Sequence, residues 1–232
     1  MILSGSRIEI EQQAATMISR AIEHAINKNN QAIMAVVGGR SIGGLLGALG
    51  RERLDWQKVH LFLADERLVT TDHPDSNFRL IRPHVETFIP RENLHPFRHA
   101  QADEIKSLQN YQQELSDCGG GFDISLLSSG EDGHVASLFP DHHTIRAADD
   151  SFLLTHSAPK PPPGRMSASR ALLAGSSLPW YSSTGKVNAG LSQPFWTHRF
   201  RWNSVLPNWC LPSPNTTRLE TGANESCKSN LN

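Results

Sequence analysis

The sequence predicts an α/β protein built on a doubly wound, mostly parallel sheet. Three observations carry that prediction. Short apolar runs of strand length recur at 31–37, 59–64 and 122–127. Segments of helical period lie between them, and each run stops at glycine, serine or charge. The resulting order, αβαβααβ, is the order of strands joined by crossover helices.

The elements follow in turn. Ile10, Ala14, Met17, Ile18, Ala21, Ile22 and Ala25 recur three and four residues apart, which predicts a helix from Ile8 to Asn29. Asn27 to Asn30 ends it, and Gln31 to Val37 (QAIMAVV) reads as a buried strand. Gly38-Gly39-Arg40-Ser41 then opens a second helix, Ile42 to Leu49. Strand, glycine-rich turn and helix together offer backbone N–H groups and a positive helix end to a phosphate. The turn has neither the Walker A nor the GxGxxG pattern, so it reads equally as an ordinary βα turn.

Val59 to Ala64 is the next strand and ends in Asp65-Glu66-Arg67. Three charges after a buried strand must face a cleft or pair with one another, because isolated buried charge is costly. Thr70 to Ser76 is a polar loop, and Asp75 or Ser76 caps a helix from Asn77 to Val85. Ala102 to Asp117 is a further helix, closed by Cys118 and Gly119-Gly120-Gly121. Phe122 to Leu127 is the central strand.

That strand delivers Glu131-Asp132-Gly133-His134 to its carboxyl end, followed by a helix-like turn from Val135 to Leu138. Open α/β sheets bind ligands at this position. His134 can move a proton near neutral pH, and Asp132 or Glu131 can fix its tautomer. Asp-Gly pairs are also common plain turns. His134, Asp141, His142 and His143 match no standard zinc spacing, so no metal is expected. Ser151 to His156 reads as a strand, and Pro159 to Pro163 as a stiff connection. Arg165 to Ser169 reads as a strand that carries Arg165 into the cleft or leaves it on a solvated edge.

Composition narrows the functional class. The chain has 232 residues and a formal net charge of −1, which gives no electrostatic footprint for nucleic acid or an anionic membrane. Cys118, Cys210 and Cys227 form neither a metal-ligand pattern nor a disulfide framework, as expected in a reducing compartment. With no secretory or membrane-spanning apolar run in the sequence, the expectation is a cytoplasmic protein.

Four blocks carry a resemblance to a known family. They are VGGRS (37–41), FLADERLVTTDHPDSN (62–77), FDISLLSSGEDGHVASLFP (122–140) and PPPGRMSAS (161–169). In content, order and spacing they resemble the 6-phosphogluconolactonases of the pentose phosphate pathway. The glucosamine-6-phosphate deaminases share the Asp-Gly-His loop, but Asp65-Glu66-Arg67 and Ser137-Leu138-Phe139-Pro140 favour the lactonases. The resemblance implies a Rossmann-like sheet of the deaminase/isomerase type and hydrolysis of a sugar-phosphate lactone. It implies His134 as general base with Asp132 or Glu131 orienting it. Gly38, Gly39, Arg40, Ser41, Asp65, Arg67 and Arg165 are the implied substrate and phosphate contacts. No cofactor is implied, and a monomer is expected. The alternatives are an amino-sugar-phosphate deaminase or isomerase, and a catalytically impaired sugar-phosphate-binding protein. Two departures stand out: Val37 and Arg40 flank Gly38-Gly39 where the family has serines, and Ser128-Ser129-Gly130 carries one glycine fewer.

The likeness is expected to stop near residue 177. Residues 1–177 then form a lactonase-like domain incomplete at its C-terminal side, and 178–232 an atypical, poorly ordered tail. Four of the five tryptophans fall in that tail, at Trp180, Trp196, Trp202 and Trp209. Glu220 and Glu225 are its only acidic residues, and Pro179, Pro194, Pro207, Pro212 and Pro214 interrupt regular structure. An altered reading frame would explain such a shift, with impaired activity as its expected consequence; the alternative is a genuine, divergent C-terminal extension.

Overall fold

The computed structural model describes residues 2–3, 6–39, 42–130, 132–147, 149–176, 178–183 and 197–199. After a two-residue strand β1 (Ile2–Leu3), helix α1 runs from Arg7 to Asn29. Ser6 starts it with a reciprocal cap: Glu9 N–H donates to Ser6 Oγ, and Ser6 N–H donates to Glu9 Oε2. Asn30 stops it in the left-handed conformation at φ 61°. There follow β2 (Ala32–Val36), α2 (Ile42–Leu49), β3 (Val59–Leu63), β4 (Asp65–Arg67) and α3 (Asn77–Val85). Then come β5 (Leu94–His95), α4 (Glu104–Asp117) and β6 (Ile124–Ser129). The described chain closes with β7 (Phe152–Thr155), β8 (Arg165–Ala168), α5 (Arg170–Ala174), β9 (Leu178–Ser183) and β10 (Thr197–Arg199).

The main sheet has the order β1-β10-β9-β6-β2-β3-β5. Strands β9, β6, β2, β3 and β5 pair in parallel, and β10 and β1 add an antiparallel edge. Residues alternate between two cores along each central strand, as the two-residue period of a strand requires. Met34, Val36, Leu61 and Leu63 pack under α1, α2 and α3, together with Ile18, Leu46 and Ile81. Ile33, Ala35, Phe62 and Leu127 face the other way, against Tyr111 and Leu115 of α4. Each fully buried aliphatic side chain contributes about 1.5–3 kcal/mol, which makes this two-sided burial the main source of stability. Asp123 fixes the start of the central pair: Ile33 N–H donates to its Oδ2 at 2.9 Å, and Asn29 Nδ2 to its Oδ1 at 3.2 Å.

The doubly wound, mostly parallel sheet therefore matches the sequence reading, with differences of detail. The charged Asp65-Glu66-Arg67 segment is itself a strand in a second, antiparallel sheet of order β4-β8-β7. The Val135–Leu138 segment is not helical. Val135 and Leu138 exchange backbone hydrogen bonds at 3.2 and 2.9 Å across a tight turn with Ala136 at φ 53°. Helix is blocked because Ser137 N–H is drawn sideways to Ser167 Oγ, and Pro140 follows at once. Past residue 177 the backbone of β9 pairs with the whole length of β6, Ile124 with Leu178 through Ser129 with Ser183. The rest of the expected tail lies outside the described residues apart from β10. Among the described residues no helix is long and apolar enough to cross a membrane.

Candidate active site

From β2 the chain moves through α2 to β3 and on to β5, in one direction along the sheet. From β5 it returns through α4 to β6, on the other side of β2, and then runs away to β9. The strand order thus reverses between β2 and β6, and a crevice opens at their carboxyl ends. A cleft of about 540 Å³ occupies that place. Val37, Gly38 and Gly39 line it from β2, and Ser129, Gly130 and His134 from β6. The small sheet contributes Asp65, Arg67 and Arg165.

His134 and Asp132 form a dyad on the β6 side. Nδ1 of His134 lies 2.5 Å from Oδ1 of Asp132. The loop that holds them is tied by Gly130 N–H donating to the His134 carbonyl at 2.9 Å, with Gly133 in the left-handed region at φ 87°. The Phe139 ring packs against the imidazole with centroids 4.8 Å apart. Lys160 Nζ reaches the same Asp132 oxygen at 3.0 Å. Partial burial alone would raise the Asp132 carboxyl, but the hydrogen bonds and charges of His134 and Lys160 outweigh it and hold it at about 2. Asp132 is therefore an anion at neutral pH. With Nδ1 committed to it, Nε2 is the nitrogen left for proton transfer.

Arg67 and Arg165 add a cationic wall to the same cleft. They are directly paired in the antiparallel register of β4 and β8. Arg165 is only 6 % exposed. Burial lowers its guanidinium pKa, and the charge of Arg67 lowers it further. Its Nε donates to the Pro162 carbonyl at 2.8 Å and its Nη2 to the Pro161 carbonyl at 3.1 Å, so it also folds the proline loop that bears Lys160. Arg67 Nη1 donates to the Asp75 carbonyl at 2.6 Å, while its Nε is buried without a partner among the described residues. Like charges directly opposed on a sheet destabilise it, and an anion between the two guanidiniums would remove the conflict.

Asp65 is 6 % exposed and fully engaged: Ser137 Oγ donates to its Oδ2 at 2.8 Å, and Asn77 Nδ2 to its carbonyl at 2.8 Å. It joins the cleft wall to the turn behind His134. Glu66, its neighbour, accepts from the N–H groups of Asn77, Phe78 and Arg67 and from Ser76 Oγ. Burial pushes its carboxyl up against those four hydrogen bonds.

The structure thus gathers His134, Gly38, Gly39, Asp65, Arg67 and Arg165 around one cleft, with Asp132 joined to it through His134. Glu131, Arg40 and Ser41 lie outside the described residues. Sequence reasoning missed Lys160, Asn77, Ser137, Phe139 and Arg7, of which Lys160, Asn77, Phe139 and Arg7 line the cleft. A signal for Lys160 existed. It is the only lysine or arginine between Arg146 and Arg165, and it sits inside a proline-stiffened loop.

Comparison with known proteins places these features in a family context. Residues 5–202 match the family described as glucosamine-6-phosphate isomerases/6-phosphogluconolactonase, a span that passes the boundary expected at 177. A 6-phosphogluconolactonase of Synechocystis is 38 % identical over 157 residues, covering 64 % of this chain and 65 % of that protein. The chain therefore spans just under two thirds of that relative's length. A 6-phosphogluconolactonase of Streptomyces coelicolor is 30 % identical over 200 residues, covering 77 % of this chain and 75 % of that one. Among solved structures, a 6-phosphogluconolactonase of Shewanella baltica superposes with a TM-score of 0.69 at 26 % identity, covering 76 % of this chain and 77 % of that one. The enzyme of Trypanosoma brucei shares the fold with a TM-score of 0.68 at 22 % identity, covering 83 % of this chain and 88 % of that one.

Proposed function

Because the chain belongs to the glucosamine-6-phosphate isomerase/6-phosphogluconolactonase family, we propose that it hydrolyses 6-phosphogluconolactone to 6-phosphogluconate. The observation that carries this reading is one cleft lined by both the histidine of a His–Asp dyad and a register-paired arginine couple. A lactone is an internal ester, so its hydrolysis needs an activated water and stabilisation of the carbonyl oxygen. A phosphate at the far end of the substrate needs cations and backbone donors.

In this mechanism Nε2 of His134 takes a proton from water as the oxygen attacks the lactone carbonyl. Asp132 accepts the Nδ1–H, holds the tautomer and stabilises the imidazolium that forms. The tetrahedral intermediate collapses with cleavage of the ring C–O bond, and His134 returns its proton to the leaving oxygen. The product is a carboxylic acid that ionises in solution. Lys160 keeps Asp132 ionised and adds positive charge beside the dyad. Arg67 and Arg165 hold the phosphate, aided by the backbone at Gly38 and Gly39.

Acid release from 6-phosphogluconolactone, measured beside the same lactone without its phosphate, tests the reading. We expect turnover well above the spontaneous rate and a kcat/KM at least ten-fold higher for the phosphorylated lactone. Equal turnover of the two lactones would remove the phosphate assignment. Ammonia release from glucosamine 6-phosphate without lactone hydrolysis would move the chain to the isomerase branch of its family. Binding of 6-phosphogluconate with no turnover would leave only a sugar-phosphate-binding protein.

A further inference from the structure

At the opposite end of the sheet from the cleft, three side chains from three elements converge. His60 is the second residue of β3, His95 is the last of β5, and Cys118 caps α4. Nδ1 of His60 lies 3.0 Å from Nε2 of His95 and 3.7 Å from Sγ of Cys118. All three atoms fall within 4.8 Å of one another, and all three residues are partly buried.

His95 is held in the manner of a metal ligand. Its second nitrogen, Nδ1, lies 3.2 Å from Glu114 Oε2, and Arg98 fixes that carboxylate from its other oxygen at 2.9 Å. Its ring is stacked on Phe62 with centroids 4.1 Å apart and 4° between planes. A carboxylate on the far nitrogen sets the tautomer so that the near one presents its lone pair.

We propose that His60, His95 and Cys118 bind a borderline-soft divalent cation of the Zn²⁺ class, leaving a fourth position to water. Tetrahedral zinc, with bonds of roughly 2.0–2.1 Å to nitrogen and 2.3 Å to sulfur, sets N–N edges of about 3.3 Å and N–S edges of about 3.5 Å. The His60–His95 and His60–Cys118 separations lie within a few tenths of an ångström of these edges, and the third edge, His95 to Cys118, is within 4.8 Å. His60 and His95 nitrogens face each other as partners of one hydrogen bond. The cation takes the place of that proton, which exchanges through solvent to Nε2 of the neutral His60 ring, and the ring turns to aim Nδ1 at the cation while Phe62 and Glu114 keep His95 fixed. Binding releases the Cys118 thiol proton to solvent. Two imidazoles and one thiolate suit zinc, cobalt or copper better than magnesium or calcium. The cation would join β3, β5 and the end of α4, from which the chain enters β6 and its catalytic loop.

Co²⁺ is the probe, because a thiolate ligand gives it a charge-transfer band in the near ultraviolet. The purified chain should bind one equivalent with that band. Cys118→Ser should abolish the band and weaken Co²⁺ binding at least ten-fold, and His60→Gln should weaken it likewise. The paired change Cys210→Ser, Cys227→Ser should keep the band. Zn²⁺ should raise the melting temperature of the unaltered chain and not that of Cys118→Ser, read by circular dichroism, which also checks that the variant folds. No band in the unaltered chain overturns the proposal. So does a band that survives Cys118→Ser, or one lost in the Cys210/Cys227 variant.

Discussion

A β-carbon on Gly130 would fall 2.2 Å from Cε1 of His134 and 2.7 Å from Oδ1 of Asp132. The dyad therefore exists only because that residue has no side chain. Gly130→Ala should displace the imidazole and lower kcat at least ten-fold, with KM little changed because the arginine wall is untouched. Asp132→Asn removes the anion that fixes Nδ1–H, and kcat should fall by about 10²–10⁴. Steady-state kinetics on each variant separates the two parameters. The Asp132 carboxyl is lowered from 3.8 to about 2, so its stabilising effect is complete above pH 3.8 and is lost as pH falls towards 2. The side chain is 37 % exposed, so solvent screening keeps the effect small. In acid melts, Asp132→Asn should differ from the unaltered chain above pH 4 and converge with it near pH 2. Asp132 and His134 were legible as residues because their two-residue spacing on a loop after a strand leaves little freedom. For Lys160 the sequence signal is only its isolated charge in the proline loop; its contact with Asp132 spans two loops that only the fold brings together.

Ser76 shows how an element sets up the site. Its Oγ accepts from Arg79 N–H at 3.1 Å and caps α3, while it donates to Glu66 Oε2 at 3.0 Å. Ser76→Ala loses both bonds and should cost about 1–2 kcal/mol by urea unfolding. The arginine wall is also a property of elements, because a one-residue slip of β8 against β4 would turn Arg165 away from the cleft. Arg67→Ala should raise KM for the phosphorylated lactone at least ten-fold. Its melting temperature should stay close to that of the unaltered chain, because the variant also relieves a like-charge pair worth roughly 0.2–1 kcal/mol. The central helices and strands were readable from apolar period, since each packs a full face. The separate β4-β8-β7 sheet was not, because three- and four-residue strands carry too few positions to declare a partner.

At the scale of the whole molecule, the sheet continues past residue 177. The backbone of 178–183 covers the edge of β6 that a chain ending at 176 would leave open. Such a truncated chain should aggregate or unfold at temperatures the full chain survives, which light scattering during a thermal melt would show. Composition suggested a break at 177, since tryptophan and proline rise there and apolar alternation fades. Strand pairing is decided by backbone geometry beside β6, which composition does not encode. In the proposed mechanism His134, oriented by Asp132 in a cleft shared with two arginines, activates water against a phosphorylated lactone. The deciding measurement is the initial rate of 6-phosphogluconolactone hydrolysis at mildly acidic pH, for the full chain and its His134→Ala variant. The rate should lie well above background for the full chain and fall to background in the variant. Equal rates in the two proteins, or none in either while both remain folded, would contradict that mechanism.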